Sequence, residues 1–277
     1  MKPEDCPIGM FDSGVGGLSV LKAATDMMPE ENFIYVADQA HVPYGPRPLE
    51  EVRDFAISIT EFLLGQGAKM VVVACNTASA AALYCLRQKF PDVPFVGMEP
   101  AVKPAKERTK TGLVGVLATE ATLRGERYAS LLERFAEGVK ILHHTCPGLV
   151  NLIEQGALDS PETIAILKSA LLPMIAQGVD TIVLGCTHYP FVLPLIRSIV
   201  GPDVRVIDPA QAVARQIGRM LEMHGIKRQA SSKSKITYFT TGDKLQFEAV
   251  VRLLLGDIVN VQTLVWEGRR LLEGKTC

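Results

Sequence analysis

Two cysteines stand in matched positions, each following a run of residues typical of a buried strand. Cys75 follows residues 71–74, which read Val-Val-Val-Ala, and Cys186 follows residues 181–185, which read Thr-Ile-Val-Leu-Gly. Such runs are typical of parallel strands that helices cover on both faces. Because ligands bind at the carboxyl ends of strands in open α/β sheets, both thiols are predicted to lie where a substrate would bind.

A pair of thiols can move a proton without help from a cofactor. If the thiols lie on opposite sides of one carbon atom, the thiolate on one side removes a proton and the thiol on the other side returns one. Cysteine suits both roles because its ordinary pKa of about 8.5 lies near neutrality. A free cysteine is more often a small buried apolar residue. The matched placement of Cys75 and Cys186 is therefore what favours chemistry over packing.

Two further side chains could assist proton transfer. Asp12 follows the apolar run at residues 8–11 and could accept a proton or bind an ammonium group. His188 lies two residues after Cys186 and could act as its acid–base partner. Both have structural alternatives, since Asp is a preferred helix N-cap and a histidine here could equally face solvent or lie in the core.

Strand-like and helix-like segments alternate along the chain, and three landmarks recur at nearly one spacing. The members of each pair are 107 to 111 residues apart and keep the same order: Asp12 with Thr119, Cys75 with Cys186, and Glu99 with Asp208. Such a recurrence indicates a duplicated unit. The sequence therefore predicts an α/β fold of two similar halves with parallel-type sheets and an active site in the cleft between them.

The predicted domains are interleaved along the chain. The last strand-like segments, at residues 236–240 and 259–262, cannot form a domain alone and are predicted to return to the first half. The first domain would then comprise residues 1–98 and 209–277, and the second residues 99–208. Both cysteines would face the cleft.

Composition excludes several classes of function. The 277 residues carry a net charge of −1, and no basic block indicates nucleic acid or an anionic membrane as a partner. No apolar run approaches the roughly 18 residues of a membrane span. The six cysteines show no CxxC spacing, so neither a zinc site nor a disulfide scaffold is expected.

The same features favour a cytoplasmic protein. The first six residues lack the basic and apolar regions of a signal peptide, and free thiols fit a reducing compartment. The expected partner is a small molecule. A homodimer is compatible with the sequence, which does not define the oligomeric state.

A glycine-rich turn at residues 14–19 raises a competing interpretation. It resembles a dinucleotide-binding fingerprint, and Asp38 lies where a ribose-binding acid would be expected. Ser19, however, occupies the third glycine position, and Asp12 would place a negative charge beside the pyrophosphate. An amino-acid site is therefore favoured over a dinucleotide site.

Five stretches together resemble the aspartate/glutamate racemase family. They are residues 11–18 (FDSGVGGL), 43–45 (PYG), 74–77 (ACNT), 185–190 (GCTHYP) and 240–243 (TTGD). The resemblance covers nearly the whole chain. It implies an isomerase without metal or organic cofactor that interconverts L- and D-glutamate and supplies D-glutamate for bacterial peptidoglycan. A racemase for aspartate or another amino acid is the nearest alternative.

The resemblance also implies roles for individual residues. Cys75 and Cys186 would be the two bases, assisted by Asp12, Glu154 and His188. The distal carboxylate would be bound by Ser13, Pro43, Tyr44 and Gly45, and the α-amino and α-carboxylate groups by Asn76, Thr77, Thr119 and Thr187. Gly148 and Asn151, shortly before Glu154, depart from the bulkier apolar residues that are more frequent in the family.

Overall fold

The strands of the protein fall into two sheets. The computed structural model describes residues 3–229 and 235–274. Its strands are β1 (Ile8–Asp12), β2 (Phe33–Ala37), β3 (Met70–Val73), β4 (Phe95–Val96), β5 (Leu113–Ala118), β6 (Lys140–His144), β7 (Thr181–Gly185), β8 (Arg205–Ile207), β9 (Ile236–Thr240), β10 (Val261–Glu267) and β11 (Arg270–Glu273). The larger sheet has the order β11-β10-β9-β2-β1-β3-β4, and the smaller has the order β6-β5-β7-β8.

Helices connect most of the strands. They are α1 (Leu18–Met27), α2 (Leu49–Gly65), α3 (Asn76–Lys89), α4 (Val102–Arg108), α5 (Glu120–Arg124), α6 (Glu126–Phe135), α7 (Leu149–Glu154), α8 (Pro161–Ala176), α9 (Leu193–Val200), α10 (Ala210–Met223) and α11 (Lys244–Leu255). Across the described ranges, none of these helices combines the length and the apolar character that a bilayer crossing requires.

The two halves repeat one topology. In the first, the strands run in the order β2-β1-β3-β4, and in the second the order β6-β5-β7-β8 is the same with each number raised by four. All of these neighbours pair in parallel. Every residue of β1, β2, β3 and β7 is buried, as expected for strands covered on both faces. The predicted α/β fold of two similar halves is confirmed.

The C-terminal segment extends the first sheet. Strand β9 pairs in parallel with β2, and β10 pairs in parallel with β9. Strand β11 then forms an antiparallel hairpin with β10. The domain boundaries 1–98 with 209–277 and 99–208 remain our proposal, and this distribution of strands supports them.

The halves share apolar packing. One cluster of buried residues joins Val15 and Leu18 of the first half to Leu149, Ile153 and Tyr189 of the second. The strand ends at Cys75 and Cys186 therefore belong to halves that pack directly against each other.

Candidate active site

The first thiol lies where a strand passes into a helix. Cys75 follows β3 by two residues and is the N-cap of α3, where its Sγ accepts a hydrogen bond from the backbone N–H of Ala78 at 3.5 Å. Burial raises the pKa of this thiol well above its ordinary value, and the neighbouring Asp12 carboxylate raises it further. Cys75 therefore needs a cation or a proton acceptor nearby before it can ionise at neutral pH.

Asp12 combines a structural bond with a contact to this thiol. Its Oδ2 accepts a hydrogen bond from the backbone N–H of Gly17 at 2.7 Å, so the side chain anchors the turn before α1. It is also a hydrogen-bonding partner of Cys75. Burial raises the pKa of Asp12, and the nearby His188 partly opposes this. Its carboxyl is thus suited to hold a proton or an ammonium group.

The second thiol begins a chain of three side chains. Cys186 follows β7 directly, and its Sγ lies 3.8 Å from Nδ1 of His188. Nε2 of His188 lies 2.6 Å from Oε1 of Glu154. Burial disfavours the charged imidazole, but the bonds to Cys186 and Glu154 outweigh it and raise the pKa of His188 well above its usual range. The chain can therefore place an imidazolium beside the thiol of Cys186.

Glu154 is buried but well supplied with donors. Its Oε1 also accepts a hydrogen bond from the backbone N–H of Val15 at 2.7 Å, and its Oε2 accepts one from Nε2 of Gln39 at 2.9 Å. Burial raises the pKa of this carboxyl, but the bonds to His188, Gln39 and Val15 together lower it below its usual value. The side chain is therefore held as a carboxylate facing His188.

Close packing explains the glycine-rich turn. A Cβ on Gly14 would overlap the carboxylate of Glu154, and one on Gly16 would overlap the ring of His188. A Cβ on Gly17 would lie 2.8 Å from the Cβ of Asp12. The glycines therefore let the turn approach the side chains of Asp12, Glu154 and His188 closely.

Asp38 organises the loop that contains Pro43, Tyr44 and Gly45. Its buried carboxylate accepts hydrogen bonds from Tyr44 Oη at 2.6 Å, from Thr241 Oγ1 at 2.8 Å and from Trp266 Nε1 at 2.8 Å. Its other close partner is Nδ1 of His41 at 2.9 Å. A carboxylate engaged in this way is not available to a ribose.

Asn76 is a polar side chain without a partner. Both its Nδ2 and its Oδ1 are buried and form no hydrogen bond. Such an amide is costly unless a ligand supplies the missing bonds. Beside it, Thr77 Oγ1 lies 2.8 Å from Thr119 Oγ1, which joins the two halves.

The predicted site residues lie together. The described residues that line one small cavity of about 20 Å³ are Ser13, Pro43, Tyr44, Gly45, Cys75, Asn76, Thr77, Thr119, Val150, Cys186, Thr187 and His188. Eleven of these twelve were predicted, and the two remaining predicted residues, Asp12 and Glu154, contact Cys75 and His188. Their catalytic and binding roles stay predictions.

Val150 and Gln39 are the members of the site that sequence reasoning missed. Val150 lies between Gly148 and Asn151, the two residues that depart from the family pattern. That departure was the signal that could have pointed to Val150. Gln39 directly follows Asp38, but its contact with Glu154 spans 115 residues of chain. No local pattern could have predicted that contact.

A second cavity lies next to the first. It has a volume of about 250 Å³ and shares Pro43, Gly45, Thr119 and Val150 with the small cavity. Cys146 lines this outer cavity. Burial raises the pKa of its thiol to about 12, so the thiol is protonated at neutral pH. The outer cavity adjoins the cavity that contains Cys75 and Cys186.

Other features lie away from this chemistry. A larger cavity of about 540 Å³ runs along β4 and α10 and contacts none of the predicted site residues. In the part of the chain that the structure describes, no cluster of three or more His, Cys, Asp or Glu side chains could hold a metal ion.

Comparison with known proteins identifies the family. A glutamate racemase of Roseiflexus sp. is 51% identical over 249 residues, which cover 90% of this chain and 92% of that protein. Among solved structures, glutamate racemase RacE1 of Bacillus anthracis has a TM-score of 0.86 and 35% identity, covering 96% of this chain and 99% of its own. Escherichia coli glutamate racemase, in complex with L-glutamate and the activator UDP-MurNAc-Ala, has a TM-score of 0.82 and 31% identity, covering 95% and 100%. The model of the Asp/Glu/hydantoin racemase family matches residues 18–217, and this chain belongs to that family of isomerases.

Proposed function

We propose that the protein is a cofactor-independent glutamate racemase that uses Cys75 and Cys186 as its two bases. The observation that carries the proposal is that both thiols line one small cavity, each beside its own acid–base partner. Asp12 serves Cys75, and His188 with Glu154 serves Cys186. One thiol from each half at a shared cavity is what a two-base inversion of one carbon atom would use.

The proposed reaction inverts Cα in two proton transfers. The thiolate of one cysteine removes the Cα proton and becomes a thiol. The thiol of the other cysteine delivers its proton to the opposite face of the carbanion and becomes a thiolate. For the opposite enantiomer the two cysteines exchange roles. One proton is taken and one is given in each turnover, so no cofactor is required.

Glutamate is the substrate that the relatives favour. The Roseiflexus relative is a glutamate racemase, and the E. coli relative was solved with L-glutamate. In this chain, the partnerless amide of Asn76 with Thr77, Thr119 and Thr187 would bind the α-amino and α-carboxylate groups. Ser13, Pro43, Tyr44 and Gly45 would bind the distal carboxylate. If the protein racemised aspartate as fast as glutamate, the choice of glutamate as its substrate would be contradicted.

We further propose that the D-glutamate serves peptidoglycan synthesis in the cytoplasm. The E. coli relative takes UDP-MurNAc-Ala as an activator, and muramic acid is a sugar of peptidoglycan. Depletion of the protein in its own cells, followed by rescue with D-glutamate, tests this role. The expectation of a homodimer stays a prediction that light scattering can test.

Racemisation in heavy water tests the mechanism. Thiol protons exchange with solvent, so the product enantiomer should carry deuterium at Cα. Purified protein should racemise glutamate without added cofactor and aspartate far more slowly. Product that retains the substrate's own hydrogen at Cα would exclude the two-base mechanism, whereas deuterated product from aspartate alone would exclude only the choice of substrate.

A further inference from the structure

Glu154 lies between two cavities. On one side its Oε1 meets His188, which lines the cavity that contains both thiols. On the other side Glu154 lines a separate cavity of about 230 Å³ together with Gln39, Gln155 and Gln246. Of the five predicted catalytic side chains, all of which the structure describes, Glu154 alone lines this 230 Å³ cavity. The carboxylate of Glu154 could therefore turn toward this polar cavity instead of facing His188.

Gln39 supplies the bond that opposes this alternative. Oε1 of Glu154 receives two donors, but the donor that the described residues provide to Oε2 is Nε2 of Gln39, at 2.9 Å. Without this bond, Oε2 of Glu154 would be free to turn into the 230 Å³ cavity and be hydrated there. A bond to a carboxylate is among the stronger hydrogen bonds, so Gln39 contributes to the orientation of Glu154.

The amide of Gln39 is itself fixed in one orientation. Its Oε1 accepts the hydroxyl proton of Thr240 at 2.9 Å, and Thr240 Oγ1 accepts the backbone N–H of Gly242 at 3.0 Å. The reverse orientation would place the amide oxygen against the carboxylate of Glu154. The turn at residues 240–243 thus determines which end of Gln39 faces Glu154.

The chain of side-chain contacts that begins at Gln39 leads to Cys186. Gln39 contacts Glu154, Glu154 contacts His188, and His188 contacts Cys186. The partner of Cys75 is Asp12, which is anchored by Gly17 instead. We propose that Gln39 is a positioning residue for the Cys186 half of the reaction, because it holds Glu154 against His188. The inference rests on the proposed function and adds a residue to it.

Racemisation alone would not reveal a one-sided effect. The equilibrium constant between two enantiomers is one, so kcat/KM must fall equally in both directions whichever base is impaired. Elimination of chloride from a β-chloro analogue of glutamate avoids this limit, because it needs Cα deprotonation but no reprotonation. The variants C75S and C186S define which enantiomer depends on which thiol.

The test compares Q39L and Q39E with the wild-type protein on both chloro enantiomers. We expect Q39L to lower kcat for the Cys186-dependent enantiomer about tenfold, the size expected for one bond to a charged group. The Cys75-dependent enantiomer should change less than about twofold. Q39E should be slower still on the Cys186-dependent enantiomer, because a second carboxylate would repel Glu154.

Gln246 offers matched controls. It lines the same cavity but is exposed and forms no side-chain bond to Glu154. Q246L and Q246E should therefore react with both enantiomers as the wild type does, and circular dichroism should show all four variants folded. Equal losses for both enantiomers in Q39L, or no loss, would overturn the inference. A wild-type protein that racemises no amino acid would instead overturn the proposed function.

Discussion

At the residue scale, the two thiols occupy equivalent places in the repeat but differ in their partners. Cys75 has a carboxyl beside it, whereas Cys186 has an imidazole backed by a carboxylate. The first arrangement favours a protonated thiol, whereas the second places a readily protonated imidazole beside the thiol. The sequence predicted the matched positions, but the difference between them depends on Glu154, which reaches the site from a distant helix.

Serine substitutions separate the two thiols. Serine keeps the shape, but its hydroxyl is a far weaker base than a thiolate at neutral pH. C75S and C186S should each lose racemisation by at least about 100-fold, while both still bind glutamate in calorimetry. Each should eliminate chloride from one enantiomer of β-chloroglutamate, and the two should prefer opposite enantiomers. A variant that racemises near the wild-type rate would show that its cysteine is only a core residue.

Removing the charge of Asp12 should lower the pKa of Cys75. Burial raises the pKa of this thiol, and the Asp12 carboxylate adds to the effect. The D12N variant removes the added part, so the thiolate should form at lower pH. The measurement is the pH dependence of Cys75 alkylation, followed by mass spectrometry of its peptide. Both proteins compared should carry C186S, so that titration of the second thiol does not mix with that of the first.

The direction of the shift decides this prediction. The midpoint for alkylation in D12N/C186S should lie below that in C186S alone, and below it by more than the error of the fit. Asparagine retains an oxygen that can accept the backbone N–H of Gly17, so the turn should persist. An unchanged or higher midpoint would mean that Asp12 does not control the ionisation of Cys75.

At the element scale, the sequence predicted the buried central strands better than the strands near the edge of the larger sheet. Continuous apolar runs predicted β1, β2, β3, β5 and β7 because strands buried on both faces leave no room for polar alternation. The segment predicted at residues 259–262 is instead β10, at Val261–Glu267, and β11 was not predicted. Their burial alternates only partly. Strand β11 is the edge strand of the sheet and β10 lies next to it, and partly exposed strands carry a weaker apolar pattern.

The edge hairpin nevertheless reaches the candidate site. Trp266 on β10 donates to Asp38, whose other donors include Tyr44 in the loop predicted to bind the distal carboxylate. That dependence could not be predicted from the sequence, because it joins residues 228 positions apart. The local signals around Trp266 describe an exposed strand and contain nothing that points to a substrate.

Replacing Trp266 by phenylalanine should weaken substrate binding more than catalysis. The variant keeps an aromatic ring for packing against His41 and Phe55 but loses the indole donor to a buried carboxylate. We expect KM for glutamate to rise about tenfold, the size of one charged hydrogen bond, with kcat within about twofold. Steady-state kinetics measures both. V265T, on the half-exposed neighbouring residue, is the control and should match the wild type, and a fall in kcat alone in W266F would contradict the role given to the loop.

At the scale of the whole molecule, the repeated topology puts one thiol in each half, and the contact between the halves encloses both thiols. The strand ends of β3 and β7 bring one cysteine from each half to a shared cavity. That cavity measures about 20 Å³, far below the few hundred Å³ typical of ligand sites. The cavity must therefore enlarge to admit glutamate, and we expect that the halves move apart when substrate enters and product leaves.

A covalent link between the halves should therefore block turnover. Ala80 lies on α3 of the first half, and a Cβ built on Gly125, between α5 and α6 of the second, would lie 3.1 Å from the Cβ of Ala80. This is slightly less than the roughly 3.5 to 4.5 Å of disulfides, and Gly125 has an ordinary φ of −66°. The A80C/G125C variant should form a disulfide that lowers kcat at least about tenfold. Reduction of this disulfide should restore kcat. The single variant A80C and the wild type, given the same oxidant, control for oxidation of the active thiols. A cross-linked enzyme as active as its reduced form would show that substrate reaches the thiols without separation of the halves at this contact.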